Sequence, residues 1–143
     1  IVFFMAALLV FASSAAFAQD FSGMWIGYLY TDPEGKGTKM QFAIELGKHS
    51  EGKYDGGCKL QVELNRKTYG ITTNITATVS GGELSFKDDG VIKKWGPDDN
   101  IKWCTKFGRL HITTKGSDKI LGGTVDGSGQ SNCVLTYAFL VKK

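Results

Sequence analysis

The strongest constraint on the fold is an alternation of apolar and polar side chains with a period of two, which recurs from residue 24 to the C-terminus. The clearest run covers residues 39–46, where Met40, Phe42, Ile44 and Leu46 alternate with polar or small residues. A second run, residues 71–79, is rich in Ile and Thr, residues that favour strands. No segment of this part shows the 3.6-residue period of an amphipathic helix. The pattern therefore predicts an all-β chain of half-buried strands.

Short turns separate about eight such segments, as in meandering antiparallel sheets. Gly81-Gly82 is one of these turns, and the segments 115–119 and 126–130 are two more. Closure of such a meander removes the exposed edges. We therefore expect a single antiparallel up-and-down β-barrel. A β-sandwich with Greek-key crossings is the alternative, and the shortage of long crossover loops favours the barrel.

Residues 1–18 carry no charge, and their composition indicates the apolar core of a secretory signal peptide. They end in Ala16-Phe17-Ala18, an A-x-A cleavage signature, so we expect cleavage before Gln19. The basic residues that usually precede such a core are missing, so we expect the sequence to be truncated at its start. A membrane anchor is the alternative, but the polar Ser13-Ser14 break favours a cleaved signal.

The expected organisation is thus a signal peptide at 1–18 and a barrel domain at 19–143. Such a protein is exported, to the periplasm or outside the cell, and has no membrane span after cleavage. An oxidising compartment permits disulfides. Three single pairings of the three cysteines are open, and we predict a Cys104–Cys133 bridge, because a barrel can bring their strands together. Cys58 shares the parity of the apolar positions around it and is expected to face inward; a reactive or intermolecular thiol is the alternative.

The first strand after the signal begins Phe21-Ser22-Gly23-Met24-Trp25. It resembles the G-x-W start of the lipocalin and avidin families, in which the tryptophan closes one end of a barrel. The chain also resembles small exported barrel proteins of Gram-negative bacteria, which start D-F-S-G-x-W-x-G after an A-x-A site. Those proteins carry two late cysteines flanking an L-x-G segment, matched here by Cys104, Leu121-Gly122-Gly123 and Cys133. The resemblance implies a lipocalin-like exported barrel.

Several classes of function find little support in the sequence. A net charge of +3 is too small to indicate nucleic-acid binding. The two histidines, His49 and His111, belong to no metal-spaced cluster, so no metal or cofactor is predicted. Neighbouring carboxylates on a strand face opposite ways, so the acidic pairs Asp88-Asp89 and Asp98-Asp99 do not form a general acid/base pair by their spacing. Because no EF-hand spacing is present either, both pairs are interpreted as loop polarity. We predict that the protein is not an enzyme and has no catalytic residues.

The aromatic side chains suggest two roles. In the first, the barrel holds a small apolar or amphipathic molecule. Its predicted contacts are Trp25, Tyr28, Phe42, Ile44, Trp103 and Tyr137. In the second, the barrel is filled and binds another protein through its outer face and loops, as an interaction or inhibitor module, with Trp95 and residues 88–100 as the contact. Nothing in the sequence specifies an oligomeric state.

Overall fold

The computed structural model describes residues 19–143, so the predicted signal peptide lies outside the described residues. Within 19–143 every regular element is a β-strand. There are eight: β1 (Gly23–Tyr30), β2 (Lys39–Ser50), β3 (Lys53–Leu64), β4 (Lys67–Ser80), β5 (Glu83–Trp95), β6 (Thr105–Lys115), β7 (Asp118–Ser128) and β8 (Thr136–Lys142).

The strands form a closed barrel in sequence order, each antiparallel to the next. β1 pairs with β8 from Trp25 opposite Lys142 to Tyr30 opposite Tyr137, which closes the sheet. The predicted up-and-down barrel is confirmed, and the sandwich alternative is wrong. No helix in the described part of the chain is long and apolar enough to cross a membrane.

The two ends of the barrel differ in their connections. At the hairpin end, tight turns join β2 to β3, β4 to β5 and β6 to β7, and the β1 start and β8 end lie there too. At the loop end, the segments 31–38, 96–104 and 129–135 join the strands, together with the tight turn Asn65-Arg66. The long loops therefore all lie at one end, and loops are where binding residues are most often found.

The hairpin half of the barrel is filled with apolar side chains. Trp25 and Phe21 are fully buried, and the Trp25 indole Nε1 donates a hydrogen bond to the Phe21 carbonyl oxygen at 2.9 Å. The Phe21 ring meets the Tyr54 ring edge-on, with their centroids 6.0 Å apart. These buried side chains close the hairpin end of the barrel.

Two expectations about strand faces and elements are wrong. In β8 the inward positions are Thr136, Ala138 and Leu140, so Tyr137 lies on the outer face. Both faces of β8 carry apolar residues, so its alternation is ambiguous. Residues 88–94, which were interpreted as part of a loop, continue β5 as a strand that pairs with β4 through two register shifts.

Candidate functional site

A cluster of four polar side chains lies inside the barrel, one from each of four neighbouring strands: Cys58 on β3, Thr73 on β4, Asp88 on β5 and Lys106 on β6. The Thr73 hydroxyl donates to Asp88 Oδ1 at 2.7 Å, and the Cys58 Sγ lies 3.0 Å from Thr73 Oγ1. Lys106 Nζ donates to Asp88 Oδ2 at 3.0 Å. We call these four residues the polar cluster.

The strand register explains how the cluster assembles. The β5–β6 ladder runs from Glu83 opposite His111 to Lys87 opposite Phe107, so Asp88 and Lys106 come next. Asp88 continues the inward parity of Phe86, and Lys106 that of Gly108. At this point the Lys106 backbone amide donates to the Asp88 carboxylate at 2.7 Å. The acid and the base therefore face each other inside the barrel.

Burial makes this ion pair different from the other ion pairs of the described chain. The Lys106 and Asp88 side chains are 5% and 7% exposed, whereas every other pair has at least one partner that is about half exposed or more. Taking charges out of water carries a large desolvation penalty, which good geometry and added hydrogen bonds must offset. Asp88 accepts hydrogen bonds from Thr73 and from both nitrogens of Lys106, so both of its oxygens are used.

Cys58 is a free and buried cysteine, as its inward parity predicted. Burial raises the pKa of its thiol from an ordinary 9.0 to about 11, against the opposing effects of Lys106 and Thr73. The thiolate is the nucleophilic form of cysteine. At neutral pH Cys58 is therefore a protonated, unreactive member of the cluster.

An apolar cavity of about 230 Å³ lies at the loop end, directly above Lys106. Its walls are mainly apolar: Leu29, Met40, Leu60, Val62, Trp103 and Val125. Lys106, Asp126 and Thr136 are polar residues of its lining, and Lys102 lies at its exposed rim. A dry apolar cavity of roughly 150 Å³ is known to hold benzene, so this volume suits a small molecule. Apolar walls with a few polar groups are typical of ligand sites.

The Cys104–Cys133 disulfide joins the two loops that surround the cavity. It links the end of the β5–β6 loop to the β7–β8 loop, and Cys104 is itself part of the cavity lining. The predicted bridge is thus confirmed. It holds both loops in one position above the cavity, which lowers the entropy that a ligand would otherwise lose in ordering them.

Asp98 anchors the other part of the β5–β6 loop. Its carboxylate accepts hydrogen bonds from the Asn100 amide at 3.1 Å and the Tyr69 hydroxyl at 3.0 Å. The hydrogen bond from the Asn100 backbone amide is the main reason why the pKa of Asp98 lies below its ordinary value. Asp98-Asp99 is thus loop polarity as interpreted, whereas Asp88 of the other acidic pair lies inside the barrel.

Of the six predicted ligand contacts, the structure places Trp103 alone at the cavity. Phe42 and Ile44 face inward but are fully buried in the filled part of the barrel, with Trp25 at the hairpin end. Tyr28 lies on the outer face, where Lys39 Nζ sits 4.5 Å from its ring centroid. Tyr137 is on the outer face too. The placement of Tyr28 and Tyr137 in an interior site was therefore wrong.

Trp95, the predicted contact for a protein partner, lies outside the barrel. Its indole covers Gly70, so that any side chain at Gly70 would overlap the ring. Lys59 Nζ lies 5.4 Å from the indole centroid. Beside it, residues 89–94 of β5 have no pairing with β6, and Val91 and Ile92 are 56% and 57% exposed. This segment is an open strand edge.

Sequence reasoning missed Asp88 and Lys106, although a signal was present. Each continues the inward parity of apolar residues on its own strand, so an acid and a base occupied core positions on neighbouring strands. Among residues 19–143, no three His, Cys, Asp or Glu side chains lie close enough together to hold a metal ion. Comparison of the chain with protein-family models, curated proteins and solved structures found no match.

Proposed function

We propose that this protein binds a small amphipathic molecule in the cavity at the loop end of the barrel. The observation that carries the proposal is the combination of apolar walls with one buried ion pair at the floor of an open cavity. Burial of an alkyl chain against the walls supplies affinity, at about 25 cal/mol for each Å² removed from water. The polar floor orients the molecule.

The proposal is for a binding protein and not an enzyme. The cluster's thiol, Cys58 Sγ, is held in its protonated and less nucleophilic form by its raised pKa. Asp88 is occupied by four hydrogen bonds from the protein itself. These features favour a site that holds and orients a molecule over one that transfers a proton or a group.

Export is part of the same proposal. The disulfide is consistent with an oxidising compartment, and residues 1–18 have the composition of a signal peptide. Expression of the chain behind a basic n-region in a Gram-negative host tests this. We expect the protein in the periplasmic fraction to begin at Gln19. Its intact mass should be that of residues 19–143 minus two hydrogens, which are lost when the disulfide forms. Retention of residues 1–18 would contradict the export proposal.

Binding is tested by isothermal titration of the purified protein with 1-octanol, comparing wild type with Trp103→Ala and Trp95→Ala. Trp103 lines the cavity, whereas Trp95 lies on the outer face of the same end. We expect Trp103→Ala to weaken binding about tenfold, equivalent to about 1.4 kcal/mol, and Trp95→Ala to leave it unchanged. Equal effects of the two substitutions, or no binding to the wild type, would count against the cavity.

A second candidate function, protein binding through the open edge of β5, is favoured by residues 89–94. Unpaired strand edges accept an added strand. In an antiparallel pair of two copies, Asp89 of one edge can lie opposite Lys94 of the other, so the segment is self-complementary in charge. Amide hydrogen exchange at rising protein concentration tests this. Protection that develops at residues 89–94 supports pairing of two copies, and concentration-independent fast exchange contradicts it.

A further inference from the structure

The polar floor of the cavity carries a balanced charge. Lys106 is the cavity residue of the buried pair, and its ammonium lies 3.0 Å from Asp88 Oδ2. A protonated lysine has three N–H donors. Among residues 19–143, Asp88 is the one hydrogen-bond acceptor found for Nζ. The ammonium thus retains donor capacity, although its charge is already neutralised.

This balance discriminates between uncharged and anionic ligands. An alcohol or carbonyl oxygen accepts a hydrogen bond from Lys106 Nζ and adds no charge to the buried site. A carboxylate would bring a second negative charge next to Asp88, and an uncompensated buried ion carries a penalty of several kcal/mol.

The other charged groups around the cavity have only a weak effect on an anionic ligand. Asp126 also lines the cavity, but its position alternates with the inward-facing Val125, so its carboxylate belongs to the outer face and acts only weakly on a head group at the floor. Lys102 would attract one, but it is exposed at the rim, where water and salt screen its charge. Cys58 and Thr73 contribute no charge at neutral pH. The summed field at the floor therefore disfavours an anion.

We infer that the ligand is an uncharged amphiphile, a short or medium alkyl chain ending in an alcohol or a carbonyl oxygen that accepts a hydrogen bond from Lys106 Nζ. This inference rests on the proposed function and specifies the ligand class of the same cavity. The alkyl chain lies against Leu60, Val62 and Trp103, whose side chains form the apolar walls.

The test is calorimetric titration of the wild-type protein at pH 8 with 1-octanol, 2-octanone and octanoate, which have the same number of carbons. We expect the alcohol and the ketone to bind at least tenfold more tightly than the carboxylate. If octanoate binds as tightly as 1-octanol or more so, the inference is wrong while the proposed function stands. If none of the three binds to the folded protein, both are overturned.

Asp88→Asn provides a reversal test. This substitution keeps a side chain of the same shape but leaves the Lys106 charge without its carboxylate. Octanoate affinity should then rise about tenfold or more and overtake that of 1-octanol. The control is Asp55→Asn, which removes an exposed carboxylate from the outer face and should leave the ligand order unchanged. If a folded Asp88→Asn protein still binds 1-octanol more tightly than octanoate, the inference is overturned. If that variant does not fold, the comparison of the three ligands on the wild-type protein tests the inference alone.

Discussion

Asp88 Oδ2 accepts hydrogen bonds from both nitrogens of Lys106, the backbone amide at 2.7 Å and the side-chain ammonium at 3.0 Å. One carboxylate therefore completes the β5–β6 ladder and neutralises a buried charge. Beyond this point β5 and β6 separate, and the β5–β6 loop runs to the mouth of the cavity. The same residue pair thus determines where the barrel wall opens and what the cavity floor presents to a ligand.

Removal of the Lys106 charge should be strongly destabilising. Lys106→Met leaves the Asp88 carboxylate buried without its cation, a loss of about 3–5 kcal/mol in the free energy of unfolding. The double variant Lys106→Met/Asp88→Asn should lose less than Lys106→Met alone, because no unpaired charge remains. Urea unfolding at pH 7 measures both. Lys87→Met, at an exposed position, serves as the control and should change the free energy of unfolding by less than about 0.5 kcal/mol. If Lys106→Met also changes it by no more than the control does, the buried pair does not stabilise the fold as described.

The strand pattern was sufficient to predict the barrel but not the site. Alternation gave the inward faces of β2 and β4 correctly, because those strands are apolar on one side only. It failed in β8, where the outer face carries Tyr137 and Phe139 and the inner face carries smaller residues. Ala138 lies opposite Leu29 in the register, so a small residue fits against a large one, and the buried Thr136 hydroxyl donates to the Val125 carbonyl oxygen.

The polar cluster was unpredictable from one strand at a time for a different physical reason. A lone Asp or Lys at an inward position would carry a prohibitive desolvation penalty, so such residues are normally assigned to loops. The penalty is offset only when both charges meet, and that meeting depends on the β5–β6 register. Register is a property of two strands together, which the alternation of a single strand does not specify.

Stability should fall at high pH partly because of Cys58. Its thiol has a pKa of about 11 in the folded protein and an ordinary pKa of 9.0 when unfolded. Above pH 9 the unfolded chain loses this proton while the folded protein keeps it. Deprotonation therefore stabilises the unfolded state relative to the folded state. The contribution is fully present below pH 9 and is lost as pH rises to about 11, amounting to about 2–3 kcal/mol. The stability difference between wild type and Cys58→Ala, measured by urea unfolding from pH 8 to 11, should shift by this amount, and a constant difference would contradict the prediction.

The disulfide should contribute both stability and loop order. It closes a loop with a sequence separation of 29 residues, for which the chain-entropy model gives about 3–4 kcal/mol. Cys104→Ser/Cys133→Ser should lower the free energy of unfolding by about that amount and weaken 1-octanol binding, because the loops at the cavity are no longer joined. Wild type with the bridge chemically reduced is the matched comparison. If the double variant loses stability but binds 1-octanol as before, the loops do not shape the cavity.

Closure of the barrel depends on a glycine in the first strand. A Cβ at Gly27 would lie 2.0 Å from the Phe139 carbonyl oxygen and 3.0 Å from the Leu140 Cα. Both are backbone atoms of β8, which cannot relieve the overlap by a rotamer change. Gly27→Ala therefore forces β1 and β8 apart where the sheet closes, and we expect a loss of about 1–3 kcal/mol, the range for overpacked sites. Gly47→Ala is the control, since the nearest atom to its Cβ is 3.9 Å away. Thermal unfolding monitored by circular dichroism should show a lower Tm for Gly27→Ala only. Equal Tm values for the two variants would mean that β1 and β8 have room to separate without cost.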